Sequence, residues 1–167
     1  MKTLLTFVLF TSLGLCISCD LGLDSDGGPD VDDLPPLTTT GENTFGYVIN
    51  GDIINITNSL SFTAFNQGGF FYLGGGGIKL YRLGDVATNL NYSLVNFDDG
   101  KVEFSVFDDQ NQLCFYDSTR TINGNLLFTY FSREKYIASG IFEFSTVNDD
   151  CDTIRVTDGR FDVQYTP

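Results

Sequence analysis

The chain has no histidine, no tryptophan and a single methionine, and its nine Lys plus Arg face 22 Asp plus Glu. Without histidine it lacks the commonest general base near neutral pH and the commonest transition-metal ligand. A net charge of −13 with so few cations excludes nucleic acid, and anionic headgroups as a surface for the domain, because both demand clustered Lys and Arg. After residue 19 no window sustains a 3.6-residue apolar stripe, so the only helix expected is a short one near 86–90.

What is present starts at the N-terminus. Met1-Lys2 precedes an apolar run over 4–15 and then Cys16-Ile17-Ser18-Cys19. A charged start, an apolar stretch and a small residue before a cut compose a secretory leader. The run falls short of the roughly 20 apolar residues that span a bilayer. A cysteine directly after the cut can take a diacylglyceryl group, and Ser18 suits the slot in front of Cys19 better than bulky Leu15 suits the slot in front of Cys16. Residues 1–18 are therefore expected to be a lipoprotein signal peptide and Cys19 the acylated (palmitate-bearing) N-terminus, with plain secretion as the alternative. That reading puts the protein in the cell envelope as an outer-membrane lipoprotein, held by its lipid, on the periplasmic or the surface face. Losing Lys2 with the leader takes the net charge from −13 to −14.

Cys16 leaves with the leader and Cys19 is acylated, which isolates Cys114 and Cys151. Outside the cytoplasm such a pair oxidises, and the disulfide would stabilise the fold by about 4 kcal/mol on the chain-entropy model. Residues 19–42 read as an acidic, disordered tether: Asp20, Asp24, Asp26, Asp30, Asp32 and Asp33 meet no basic residue before Pro35-Pro36. As a flexible coil it would span roughly 25–30 Å. Residues 43–167 remain, enough for one core and one domain.

Four dipeptides carry the two-residue hairpin signature: Asn50-Gly51, Asp99-Gly100, Asn123-Gly124 and Asp158-Gly159. A turn at the last would pair Val156 with Phe161 and Ile154 with Val163 on an apolar face, and Arg155 with Asp162 on a polar one. A turn at Asp99-Gly100 would oppose Phe97 to Val102 and Val95 to Phe104, with Asp98 against Lys101. At Asn50-Gly51, Val48 meets Ile53 and Tyr47 meets Ile54. Further strands are expected at 70–73, 78–83, 112–117, 126–131 and 136–147, and Gly74 to Gly77 between two of them is expected to be a turn or bulge rather than a phosphate loop. The fold class is all-β: an antiparallel sandwich or closed barrel of about 8–10 strands built from hairpins.

The segment from Leu34-Pro35-Pro36 through Thr44-Phe45-Gly46 to Asn50-Gly51 resembles the domain entry of a family of Bacteroidetes lipoproteins of unknown function. The stretches 136–144 and 157–163 resemble its closing strands. The resemblance implies an envelope location and a β-rich fold, and it carries over no catalytic residue.

Candidate chemistry is sparse. Acid pairs at Asp98-Asp99, Asp108-Asp109 and Asp149-Asp150 sit at turns, where carboxylates stay solvated, whereas glycoside hydrolysis needs one of two with a raised pKa. A carboxylate hydrolase is thus the remote alternative, and no catalytic residue is assigned. Asp149, Asp150 and Asp152 could gather oxygens around calcium; no other cofactor is expected. Phe65, Phe70, Phe71 and Tyr72 form an aromatic segment beside Gly68-Gly69; any exposed part would stack on sugars or fill an apolar pocket. The expected function is a non-enzymatic binding module for a glycan, small apolar ligand or protein partner. The alternative is a structural subunit of an envelope complex.

Overall fold

A computed structural model describes residues 31–95, 97–108 and 110–167. The leader, Cys19 and the tether as far as residue 30 lie outside the described residues. The strands are β1 (Thr44–Ile49), β2 (Asp52–Ile56), β3 (Phe62–Gln67), β4 (Phe70–Gly75), β5 (Ile78–Leu83), β6 (Asn91–Ser93), β7 (Gly100–Phe107), β8 (Leu113–Tyr116), β9 (Thr121–Ser132), β10 (Ile137–Thr146) and β11 (Ile154–Gln164). They form two antiparallel sheets: sheet A in the order β2-β1-β11-β10-β9-β6, and sheet B in the order β3-β4-β5-β7-β8. The architecture is a sandwich and not a closed barrel.

Period-two alternation sorts the side chains. β4 buries Phe71 and Leu73 and turns Phe70 and Tyr72 to the outer face; β7 buries Val102 and Phe104 and turns Lys101 and Glu103 out. Between the sheets Phe45 stacks on Phe142 at 5.4 Å and Phe71 meets Phe128 edge-on at 5.2 Å. Phenylalanine therefore fills the space that a tryptophan would fill elsewhere, each buried ring contributing about 1.5–3 kcal/mol.

The expected strands at 70–73, 78–83, 112–117 and 136–147 are β4, β5, β8 and β10, and 126–131 lies inside β9. Asn50-Gly51 joins β1 to β2 in the expected register, Val48 opposite Ile53 and Tyr47 opposite Ile54, with φ of 48° and 102° at the two turn residues. The other three dipeptides are not the two-residue loops of hairpins, although residues 97–99 ahead of Gly100 do turn. Gly100 opens β7, which pairs with β5 (Val102 opposite Leu80), and Lys101 holds Glu103 at 3.1 Å. Asn123-Gly124 lies within β9 and Asp158-Gly159 within β11.

One physical reason covers all three. A Cβ on Gly100 would stand 2.6 Å from the Tyr81 carbonyl, on Gly124 2.9 Å from the Phe144 Cβ, and on Gly159 2.5 Å from the Phe142 carbonyl. These glycines admit a close neighbour rather than a turn. At Asp158 (φ 54°) an extra residue is inserted opposite both β1 and β10, a bulge that switches the inward set from Ile154 and Val156 to Phe161 and Val163. A hairpin and a bulge both invert the parity of the apolar pattern, so the pattern alone cannot separate them. Arg155 and Asp162 are consequently not partners. Two further tight hairpin turns are Gly68-Gly69 and Gly76-Gly77, with positive φ at all four residues. Residues 86–90 form an irregular connection between the sheets rather than a helix.

Three devices close the sandwich. Cys114 and Cys151 form the expected disulfide, sulfurs 2.09 Å apart, tying β8 to the β10–β11 connection. Thr166 bridges the free edge of β3, accepting from Asn66 N and donating to Ala64 O, so the C-terminus covers a strand that would otherwise offer unpaired groups. Residues 34–42, which composition assigns to the tether, are laid across the outer side of sheet A: Leu34 is 5% exposed, and Asp162 on β11 collects their donors. Their apolar and small residues, and not their charge, decide their placement.

Candidate functional site

The outer face of sheet B carries an aromatic row. Register brings Phe65 on β3, Tyr72 on β4, Tyr81 on β5 and Lys101 on β7 into one line across four adjacent strands. Phe65 stacks on Tyr72 at 4.9 Å, Tyr72 meets Tyr81 edge-on at 5.1 Å, and the Lys101 ammonium sits 4.4 Å above the Tyr81 ring. Phe70 extends the cluster by its contacts with Phe65 (5.7 Å) and Tyr81 (6.3 Å). Tyr72 leans along its own strand over Gly74, whose missing side chain leaves room for the phenol.

All four rings are half-buried against one another. Burial, then the charges of Tyr81 and Glu103, push the Tyr72 phenol above 10.0; burial and Glu103 do the same to Tyr81. Both stay neutral hydroxyls that can donate and accept. Lys79 stands opposite Glu103 in the next row, so the apolar surface is bordered by polar groups of both signs. Chemically this is a surface for contact and hydrogen bonding.

Of the four aromatic residues singled out in the sequence, the outer face brings together Phe65, Phe70 and Tyr72. Phe71 goes the other way and is a core residue, 1% exposed. Tyr81 and Lys101 belong to the cluster but lie on strands where each stands alone in a polar context; only the cross-strand register joins them to it. The candidate calcium ligands are not gathered: Asp149 pairs with Arg120 at 2.8 Å, the Asp150 amide bonds the Asn148 side chain, and Asp152 accepts the Tyr116 hydroxyl through its backbone carbonyl. Among the described residues no three His, Cys, Asp or Glu groups converge as a metal site.

The only buried carboxylate among the described residues is Asp162, 1% exposed. Its oxygens accept the Ser139 and Thr38 hydroxyls (2.6 Å each) and the amides of Gly41 (2.9 Å), Thr40 and Glu42 (3.1 Å each). Burial pushes this carboxyl up, but the bonds from Ser139, Thr38, Glu42 and Gly41 outweigh it and hold the group below its ordinary 3.8. A general acid needs the opposite shift; Asp162 is a fastener.

Two further surfaces stand out. On the part of sheet A left open by residues 34–42, adjoining depressions of about 370 and 310 Å³ share Asn125 and Glu143. At the other edge of the molecule Phe107, Leu113 and Phe115 are 63%, 57% and 47% exposed on the outer corner of β7 and β8. No protein-family model, curated protein or solved structure matches this chain.

Proposed function

We propose that the protein is a membrane-anchored, non-enzymatic binding module of the cell envelope that contacts a glycan through the outer face of sheet B. One observation carries the reading: Phe65, Phe70, Tyr72 and Tyr81 form a continuous cluster on a solvent side of the sandwich, where alternation ordinarily sets polar residues. Sugar rings offer apolar C–H faces edged by hydroxyls, and this surface offers aromatic carbon edged by two phenols, Lys79, Lys101 and Glu103. The anchor is the lipid on Cys19, as the leader implies. The depressed, fully hydrogen-bonded state of Asp162 supports a non-catalytic role.

The test is calorimetric titration of neutral oligosaccharides into the chain and into Tyr72→Ala and Tyr81→Ala. Loss of an aromatic contact worth about 1–1.5 kcal/mol weakens binding roughly tenfold per ring. Binding that is indifferent to both substitutions, or absent across the panel, refutes the assignment of this face. Mass spectrometry of the purified protein checks the anchor: the expected N-terminus is Cys19 carrying acyl chains, and an intact Met1 without lipid contradicts it.

The alternative, a structural subunit of an envelope complex, is favoured by the exposed corner of Phe107, Leu113 and Phe115. It predicts that Phe107→Ser with Phe115→Ser abolishes co-purification with a protein partner while oligosaccharide binding is unchanged.

A further inference from the structure

We infer that the open half of sheet A is a second, independent binding site, a groove for a short saccharide chain bearing carboxylates spaced along it. Residues 34–42 wall one side: Pro35 is seated against Gly46, the Arg160 guanidinium donates to the Pro35 carbonyl, and Leu37 reaches the groove. β6, only three residues long, ends the sheet on the other side. Between them the bulge at Asp158 indents the surface. The floor is a comb of amides, Asn91, Asn123 and Asn125, around the central Glu143, with Ile141 and Leu127 beneath one end.

Charge identifies the occupant. The chain as a whole repels anions, with 22 acidic against nine basic residues. Its other arginines beyond the leader are committed: Arg120 to Asp149, Arg133 to Asp85, and Arg82 to two backbone carbonyls and the Tyr92 ring. Arg155 and Arg160 are different. Both line this groove and neither makes an ion pair among the described residues; the Arg155 guanidinium has no hydrogen-bond partner there, and Arg160 makes only long bonds to the Asp158 carbonyl (3.3 Å, from Nε) and the Pro35 carbonyl (3.4 Å, from Nη1), which leaves its Nη2 edge unspent. They are five positions apart on β11, so their backbone positions stand at most roughly 16 Å apart along the strand, less what the bulge at Asp158 takes up.

A guanidinium presents a planar fork matched to a carboxylate. Glu143, which also accepts from Asn125 at 3.5 Å, and Asp158 lie between the two, accept hydroxyls and repel anions. Asn side chains both donate and accept, as paired ring hydroxyls require. The pattern is anion, neutral hydroxyls, anion, which is that of a uronic-acid chain and not of a densely sulfated one. An acidic peptide fits less well, because the backbone groups of the floor are spent in the ladders β11·β10 and β10·β9 and offer it no main-chain pairing.

The experiment titrates the full chain with tetragalacturonate, a hyaluronan tetrasaccharide, cellotetraose and tetraglutamate at low and high salt, and repeats it on Arg155→Gln, Asn125→Ala and Tyr72→Ala. Arg155 holds nothing through its side chain, so its glutamine variant should fold normally, which its melting temperature verifies. The expected result is binding of at least one uronate tetramer, weakened by salt and about fivefold by Arg155→Gln. Asn125→Ala weakens it too, and Tyr72→Ala leaves it unchanged, which separates this groove from the face of sheet B. The inference is overturned if neither uronate binds below about 5 mM, if binding of cellotetraose or tetraglutamate is weakened by Arg155→Gln as uronate binding is, or if Arg155→Gln has no effect on the uronate.

Discussion

Replacing Asp162 by Asn removes one charge, changes the shape hardly at all, and tests the fastener directly. The carboxylate accepts from five groups: Ser139 Oγ and Gly41 N at Oδ1, and Thr38 Oγ1, Thr40 N, Glu42 N and again Gly41 N (3.0 Å) at Oδ2. In the amide the oxygen should remain at Oδ2, where three backbone amides cannot rotate away. The NH2 then replaces Oδ1, and the Ser139 hydroxyl can turn to accept from it. The four bonds at Oδ2 lose charge assistance, which accounts for about half their strength, the Ser139 bond reverses direction, and the Gly41 amide loses its contact at Oδ1. At 0.5–1 kcal/mol each, the cost is about 3 kcal/mol, or a fall in melting temperature of roughly 10 °C for a domain of this size. The pH dependence gives the sign. Because the folded group titrates below 3.8, its contribution is fully present above that value and is lost as pH falls through the folded value. The gap between wild type and Asp162→Asn should therefore be constant from pH 7 to about 5 and narrow below about 4. Thermal melts across that range, with hydrogen exchange at residues 34–42, read both effects. A variant that melts within about 2 °C of wild type at pH 7, or a gap that widens in acid, refutes the reasoning.

Breaking the Cys114–Cys151 bridge by reduction, or by replacing both cysteines with Ala, releases a loop with a sequence separation of 37 and should cost about 4 kcal/mol, measured by urea unfolding with and without reductant. Gly159→Ala should destabilise by about 2–3 kcal/mol, since its Cβ would lie 2.5 Å from the Phe142 carbonyl; a neutral result in the same assay would restore the hairpin at Asp158-Gly159. Arg82→Ala abandons two carbonyl bonds of 2.9 Å and the Tyr92 ring at 3.9 Å, pinning contacts for two of the loops that cross between the sheets, β5–β6 and β6–β7. Its expected cost is about 2–3 kcal/mol by chemical denaturation, with faster exchange near residues 85 and 99.

The strands were readable because β-branched and aromatic residues alternate with polar ones inside short segments, and that is a local property. Ile78 to Leu83 shows it well: Ile78 and Leu80 are buried and Lys79 is exposed. Connectivity was less readable. An Asx-Gly pair reports a residue tolerant of positive φ followed by one without a Cβ, and the chain uses that pair both to turn (Asn50-Gly51) and to bulge (Asp158-Gly159). Which use applies depends on what lies across the sheet. Phe142 decides it for Gly159 and Tyr81 for Gly100, both more than 15 residues away in sequence. The Gly68-Gly69 and Gly76-Gly77 turns carry the same signature without the Asx and are easily read as mere flexibility.

The recognition surfaces are the least local feature of all. Phe65 and Tyr72 are close in sequence, but Tyr81 and Lys101 join them only because three successive antiparallel registers line the four residues up. A shift of one residue in the β4·β5 pairing would send Tyr81 into the core and leave Phe65 and Tyr72 without their edge partner. The groove on sheet A is assembled from still more distant pieces: Leu37 before the first strand, Asn125 on β9, Glu143 on β10 and Arg160 on β11. None of these residues is unusual where it stands in the chain. What distinguishes the site is Arg155, whose guanidinium holds nothing among the described residues, and that becomes visible only when every other arginine has been matched to what it holds. In a strongly acidic protein, exposed guanidiniums left without a carboxylate are scarce, and Arg155 and Arg160 line two adjoining depressions that share Asn125 and Glu143.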